Sequence, residues 1–238
     1  MKTFPALALL VALFLSPLLA AAAAGPRETI TKSFDVSNFD RLNIGSAFTI
    51  NVTRAETFSV KVSGESEKVA DVTAEVRGNE LVVAFRENNS RIRLGNSTVR
   101  VEITMPSLRA VNFGGTSASV VNEGFETSNF VAYVSGTAKS EIHVKSREVF
   151  VDVTGTGTLN LFGSAEKLKA TVEGVSGLYA LYFPVQDATL DVAGTGTARI
   201  NAERTIRAKA SGASTIRYKG NARIESQEIA RLSSLKKV

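Results

Sequence analysis

The stretch VDVTGTGTLNLFG, Val151 to Gly163, returns thirty-nine residues later as LDVAGTGTARI, Leu190 to Ile200. In both copies apolar and polar residues alternate on either side of a short run of glycine and threonine. Alternation with a period of two belongs to a strand with one buried face, and glycine between two such runs marks a sharp bend. Aligning glycines outward from Gly155 extends the pattern to Gly115, Gly136, Gly174, Gly194 and Gly212, with successive spacings of 21, 19, 19, 20 and 18 residues. The columns around them agree. Two residues before each glycine stand Phe113, Val134, Val153, Val172, Val192 and Ala210; four before stand Val111, Ala132, Val151, Ala170, Leu190 and Ala208. Four residues after come Ser119, Ser140, Leu159, Leu178, Ala198 and Ile216, and six after come Val121, Ile142, Leu161, Ala180, Ile200 and Tyr218. These four columns face inward, and the residues between them face water.

A unit of about nineteen residues with two short strands cannot bury its own apolar face, so successive units must stack. Stacking sets equivalent residues about 4.8 Å apart, the spacing of paired strands. Side chains of one column then nearly touch, and glycine both admits that close approach and adopts the positive φ of a tight bend. The next column, Thr116, Thr137, Thr156, Val175, Thr195 and Ala213, reads as a ladder of small β-formers. The predicted fold is all-β, a right-handed parallel β-helix (β-solenoid). Alanine and serine at several inward positions make it slender, without a wide internal ligand cavity.

Upstream the texture changes. AFTINVTR, TFSVKVSG and VRVEITMP alternate cleanly, and VTAEVRGNELVVAF is a hairpin signal through Gly78 and Asn79. Gly64 to Asp71 suits one helical turn, and Glu87 to Ser97 an exposed loop. These strands are expected to begin the stack and cover its open N-terminal end, which would otherwise offer unpaired backbone. At the other end QEIARLSSLKKV spaces Ile229, Leu232 and Leu235 by three, as in a short amphipathic turn capping the last coil, or in a frayed tail. The expected organisation is 1–24 leader, 25–106 capping region, 107–220 glycine-repeat β-helix and 221–238 cap or tail.

The leader, MKTFPALALLVALFLSPLLAAAAAG, has one positive charge, an apolar run and an alanine tract, and reads as a secretory signal peptide cleaved near Ala24. Removing Lys2 from 28 basic side chains leaves 27 against 23 acidic ones, a net charge of +4. With no cysteine, an exported chain has neither disulfides nor a thiol for lipid anchoring, and must be held by its core. No later apolar run is long enough to cross a bilayer. The expected location is the periplasm or the cell surface.

The corner motifs VSGTAK, VTGTGT, VEGVSG, VAGTGT and ASGAST, after a region opening FDRLNI, resemble the head GIN domain family of exported bacterial proteins, named putative autotransporter adhesins and catalogued as a domain of unknown function. The resemblance spans Phe34 to Gly220. It implies an extracytoplasmic β-helical domain with no established enzymatic activity and no catalytic residues to carry over.

Chemistry-bearing residues are sparse. His143, the single histidine, falls at an outward position beside Glu141 and Lys145, with no evident partner as a general base. Nucleophile schemes that need histidine have no other candidate, and zinc has no Cys and His ligand set. Asp152 and Asp191 share an outward column, but two coils apart they stand about 9.6 Å from each other with Thr171 between. GTGT lacks the lysine and helix of a phosphate cradle, and the repeat lacks the GGxGxD pattern of calcium-binding solenoids. No cofactor or metal is expected, and export with modest charge argues against nucleic acid. Lys145, Arg199, Lys209, Arg217 and Lys219 fall at outward positions and form the candidate binding surface for an anionic envelope glycan or lipid headgroup. The expected function is a non-catalytic extracytoplasmic binding module, an adhesin or envelope-associated domain, whose partner is an envelope glycan or a surface protein. A carbohydrate-cleaving β-helix enzyme and a structural module that assembles into homo-oligomers are the alternatives.

Overall fold

The computed structural model describes residues 28–86 and 99–238. The leader expected at 1–24 and the loop expected at Glu87 to Ser97 lie outside the described residues. The chain opens with β1 (Thr29–Phe34), β2 (Arg41–Ile44), β3 (Phe48–Arg54) and β4 (Ser59–Glu65), then a single helical turn, α1 (Ser66–Ala70). β5 (Val72–Arg77), β6 (Glu80–Phe85), β7 (Val99–Met105) and β8 (Ala110–Phe113) lead into the repeat. There β9 (Ala118–Val134), β10 (Lys139–Val153), β11 (Thr158–Val172), β12 (Gly177–Val192) and β13 (Thr197–Ala210) each make a turn of a parallel solenoid. β14 (Thr215–Lys219), β15 (Arg223–Ile229) and β16 (Ser234–Lys237) complete it. The result is a β-solenoid of about seven turns.

The glycine corners explain why the turns stack in register. Gly115, Gly136, Gly155, Gly174, Gly194 and Gly212 have φ between +73° and +85°. A Cβ on any of the last five would come within 2.5–2.8 Å of the carbonyl oxygen of the glycine one turn earlier. That oxygen is already engaged. It accepts the N–H of the residue after the next glycine, from Thr137, Thr156, Val175, Thr195 and Ala213, at 2.8–2.9 Å. The threonine hydroxyls donate to the same oxygens at 3.3 Å (Thr137, Thr156) and 3.4 Å (Thr195), which accounts for threonine beside glycine in the motif. The second glycine of GTG has a different task. Gly157 and Gly196 lie in a buried column with Ser117, Ala138, Ser176 and Ser214 that turns in beneath the corner, and in these turns the column holds only small side chains. Ser176 and Ser214 donate their hydroxyls to the carbonyls of Val153 and Val192, each at 3.0 Å.

Every residue of the four inward columns is buried. A fifth column, Phe130, Val149, Leu168, Ala188 and Ile206, joins them from the start of each returning strand. Full burial of such a valine, leucine or phenylalanine is worth about 1.5–3 kcal/mol. The inward serines satisfy each other: Ser119 Oγ and Ser140 Oγ are 2.7 Å apart, one turn above the other.

The N-terminal turns are stacked out of chain order. β2 lies in parallel between β6 and β8, and β3 between β7 and β9. Residues 55–109 therefore form an insertion that supplies the outer turn, β6 and β7, and its cover. Antiparallel β5, β4 and β1 flank that turn, and α1 packs on β1 and β4, so the end of the stack is blunted. Ser46 takes the corner beneath Gly115, with φ +84°.

The C-terminal segment is neither an amphipathic turn nor a frayed tail. β15 pairs in parallel with β13 and β16 with β14, making one more turn. Ile229 and Leu235 extend two inward columns, opposite Ala210 and Ile216, and pack on the core, whereas Leu232 at the corner is 76% exposed. The three-residue spacing marks a chain crossing a corner. Arg231 stands where earlier turns have glycine, and the bend is closed by Ser233 N–H donating to Ala230 O at 2.9 Å.

Candidate binding face

The strand after each corner carries outward rows that run along the solenoid. One row places Glu141, Asn160, Tyr179, Arg199, Arg217 and Lys236 opposite one another in successive turns. Its last three members are cations. The Arg199 guanidinium carbon is 5.5 Å from the Tyr179 ring centroid, a cation–π contact. On one side of this row run Thr197, Thr215 and Ser234; on the other, Asn201 and Lys219.

A second row carries an aromatic ladder. The His143 and Phe162 rings stack at 4.7 Å, and Phe162 and Tyr182 are nearly parallel at 6.2 Å. Lys219 Nζ ends the ladder 5.3 Å from the Tyr182 ring, which is 73% exposed. The ladder borders a groove of about 570 Å³ that also touches Phe125 and Lys145. His143 is thus not the unpartnered surface histidine expected from parity alone. Its Nε2 lies 2.9 Å from Glu141 Oε1, its Nδ1 lies 3.8 Å from Glu123, and its ring covers Phe162. Glu141 is two residues away on the same strand face, and Phe162 is one turn on in register.

The strand before each corner presents a larger groove of about 1090 Å³. Its floor is a row of opposed charges one turn apart: Glu148, Lys167, Asp187 and Thr205 are in register. Lys167 Nζ donates to Glu148 at 3.0 Å. Asp187 accepts from the Arg204 guanidinium at both oxygens, from its Nε at 2.9 Å, and from Thr205 Oγ1 at 2.6 Å. The Arg204 and Thr205 hydrogen bonds hold the Asp187 carboxyl well below the usual carboxylate range, and the Lys167 hydrogen bond lowers that of Glu148. Neither acid carries a proton to donate near neutral pH. Burial pushes the Asp152 carboxyl up, but its neighbours in the column are Tyr133 and Thr171, and Asp191 lies beyond Thr171 opposite Lys209. A two-carboxylate site is not assembled there.

The depressed Asp187 carboxyl sets a pH signature. A group whose folded value lies below its unfolded one stabilises above the unfolded value, about pH 4, and loses that contribution as pH falls through the folded value. Asp187→Asn is expected to lower unfolding free energy at neutral pH by about 1 kcal/mol, since the pair is partly solvated. The deficit should shrink as pH is lowered into the acid range. A deficit independent of pH in denaturant titrations would assign the loss to packing instead.

Of the five cations singled out in the sequence, Arg199, Arg217 and Lys219 come together. Lys209 lies across the corner, between Asp191 and Glu228 in register. Lys145 lies several turns away with Nζ 3.5 Å from Glu126. Lys236, the third cation of the row, joins Arg199 and Arg217 because the segment expected as a cap or tail forms a further turn in register with β14.

Fold and outer rows together define a β-solenoid protein whose interior is filled and whose accessible features lie along its outer strands. The chain belongs to the putative auto-transporter adhesin, head GIN domain family, whose model matches residues 38–222. Solved structures share the fold. A putative adhesin from Bacteroides fragilis is 22% identical with a TM-score of 0.83, over 90% of this chain and 98% of that one. A putative lipid binding protein from Parabacteroides distasonis is 15% identical with a TM-score of 0.71, over 88% and 96%. A putative adhesin from Parabacteroides merdae is 18% identical with a TM-score of 0.69, over 89% and 96%. Among curated proteins no match was found. No helix of the described residues is long and apolar enough to cross a membrane.

Proposed function

We propose that this protein is a non-catalytic, extracytoplasmic binding module, exported to the periplasm or cell surface, whose partner is an envelope glycan or a surface protein. The observation that carries this reading is the contrast between its outer cations. Lys145, Lys167, Arg204 and Arg207 each meet a carboxylate at 3.5 Å or less, whereas Arg199, Arg217, Lys219 and Lys236 meet none among the described residues and, unlike scattered unpaired cations such as Lys209, lie side by side on successive turns. A solenoid held by backbone ladders and an apolar core does not need unpaired charge on successive turns, so that face is available to a partner. The adhesin family supports the same reading.

The test is a binding screen of the purified protein against envelope glycans and surface-protein extracts, with polysaccharide chain length followed in parallel. Saturable binding without chain shortening is the expected result. Reproducible cleavage lost in Asp152→Asn or Asp191→Asn would replace the binding module with a carbohydrate-cleaving enzyme.

A further inference from the structure

Resting on that reading, we infer that the partner is a linear polyanionic polysaccharide bearing one carboxylate per sugar, lying along the solenoid axis on the row Arg199, Arg217 and Lys236. The geometry of the row sets the class of ligand. Three cations occupy one column on consecutive turns, in the registers Arg199↔Arg217 and Arg217↔Lys236. Their backbone repeat is the strand spacing of about 4.8 Å. That repeat is close to the advance of one sugar in an extended chain, so a carboxylate-bearing chain laid along the axis keeps step with the cations over the length of the row. An isolated anion would use one of these sites, and a membrane surface would call for a broad plane of charge with apolar residues to insert. Here three cations form a single column, with Lys219 alone beside it.

The flanking rows fit a sugar as well as a charge. Thr197, Thr215 and Ser234 give a line of hydroxyls beside the cations in the same registers, and Asn201 and Lys219 give an amide and an ammonium on the other side. Two buried polar atoms point to a missing partner here. Arg199 Nε and Asn201 Oδ1, a donor and an acceptor two residues apart on β13, have no hydrogen-bond partner. Only two other buried side-chain atoms among the described residues share that condition, Asp71 Oδ2 and Ser117 Oγ. An unpaired buried donor or acceptor is costly to keep, and a ligand hydroxyl or carboxylate at this edge would relieve it. The guanidinium of Arg217 is exposed and free to form the forked, two-bond pairing that carboxylates accept, while Lys236 supplies a mobile point charge at the end of the track.

The purified protein is titrated with oligogalacturonates of increasing length, with neutral oligogalactans of the same lengths, and with phosphatidylcholine vesicles containing phosphatidylglycerol, at low and physiological salt. Oligogalacturonate is expected to bind in preference to galactan. Affinity should fall with salt, as contacts with a linear polyanion do, and rise with length until roughly three to four sugars span the cationic turns. Arg217→Gln combined with Lys236→Gln, both exposed positions, should weaken binding about tenfold or more with an unchanged melting temperature. Lys145→Gln and Lys209→Gln should leave binding as it was. Equal affinity for the double variant, equal loss in the Lys145 and Lys209 variants, or binding to anionic vesicles with none to oligogalacturonate would each overturn the assignment. If another envelope glycan or protein binds while oligogalacturonate does not, the polyanion assignment falls and the binding module stands. If no envelope component binds at all, both fall.

Discussion

Replacing Gly155 with valine is expected to destabilise the protein by about 4 kcal/mol or more, an effect large enough to need a specific mechanism. Two costs add. The corner requires φ +83°, where a β-branched residue is strained by about 1–3 kcal/mol. The new Cβ would also stand 2.8 Å from Gly136 O and 3.2 Å from Gly136 N, both backbone atoms. Gly136 O cannot retreat without releasing the Thr156 N–H it accepts at 2.8 Å, so relieving the clash breaks the ladder that joins the two turns. Gly157→Ala is the matched control two residues away. There φ is unexceptional, and the nearest atom to an added Cβ is Ala138 O at 3.3 Å. That contact is tight rather than prohibitive, and the change should stay within about 1 kcal/mol. Urea unfolding of both variants decides the matter: losses of the same size at 155 and 157 would show that crowding in general, not the left-handed corner, explains the glycines.

The same corner shows how far the sequence could be read. Parity and glycine spacing place the four inward columns from Val111 to Tyr218, because those features are local and repeated, and leave out buried residues farther from the corner, such as Phe125, Val144 and Phe183. They fail at Ser46, whose φ of +84° puts it in the corner column without being glycine, and so the first turn goes unrecognised. They fail at Arg231, which stands at a corner with neither glycine nor a positive φ, and a chain crossing a corner then imitates a helical spacing. The order of the outer turns is invisible for a different reason. Placing β2 between β6 and β8 pairs residues separated by a long insertion, and nothing in either strand's own pattern announces the partner.

For the binding face, parity tells which side chains point outward but not which are free. A cation's fate depends on residues one turn away: Lys145 meets Glu126, and Lys209 lies between Asp191 and Glu228, while Arg217 lies between Arg199 and Lys236. Carrying the column alignment outward would have exposed these neighbours on the strand after the corner, where register is kept across β13, β14 and β16. In the middle of the turns it would have misled, because β12 shifts register against β13 between Ala180 and Pro184 and again between Val185 and Asp187. The aromatic ladder lies beside such an irregularity, between Asn160 and Phe162 of β11 where it meets β12, and escapes a fixed-offset search.

Phe48→Ala is expected to cost about 3–5 kcal/mol, the range for deleting a buried aromatic side chain. Phe48 is 1% exposed and stacks on Phe85 at 4.7 Å, tying the first turn to the end of β6 in the turn outside it. In register it occupies the column that later turns fill with Ser117, Ala138 and Gly157, so the ring replaces at this end what close backbone packing supplies elsewhere. Because a stack of repeats is stabilised by nearest-neighbour contacts, the loss should be local before it is global. Amide exchange in β5, β6 and β7 should accelerate while β10 to β12 stay protected. Tyr133→Ala, which removes a half-exposed ring of the repeat, should lie within about 1 kcal/mol of the parent. Uniform loss of protection along the whole solenoid in Phe48→Ala would mean that the turns unfold as one unit, and that the N-terminal cover is not separable in stability from the repeat.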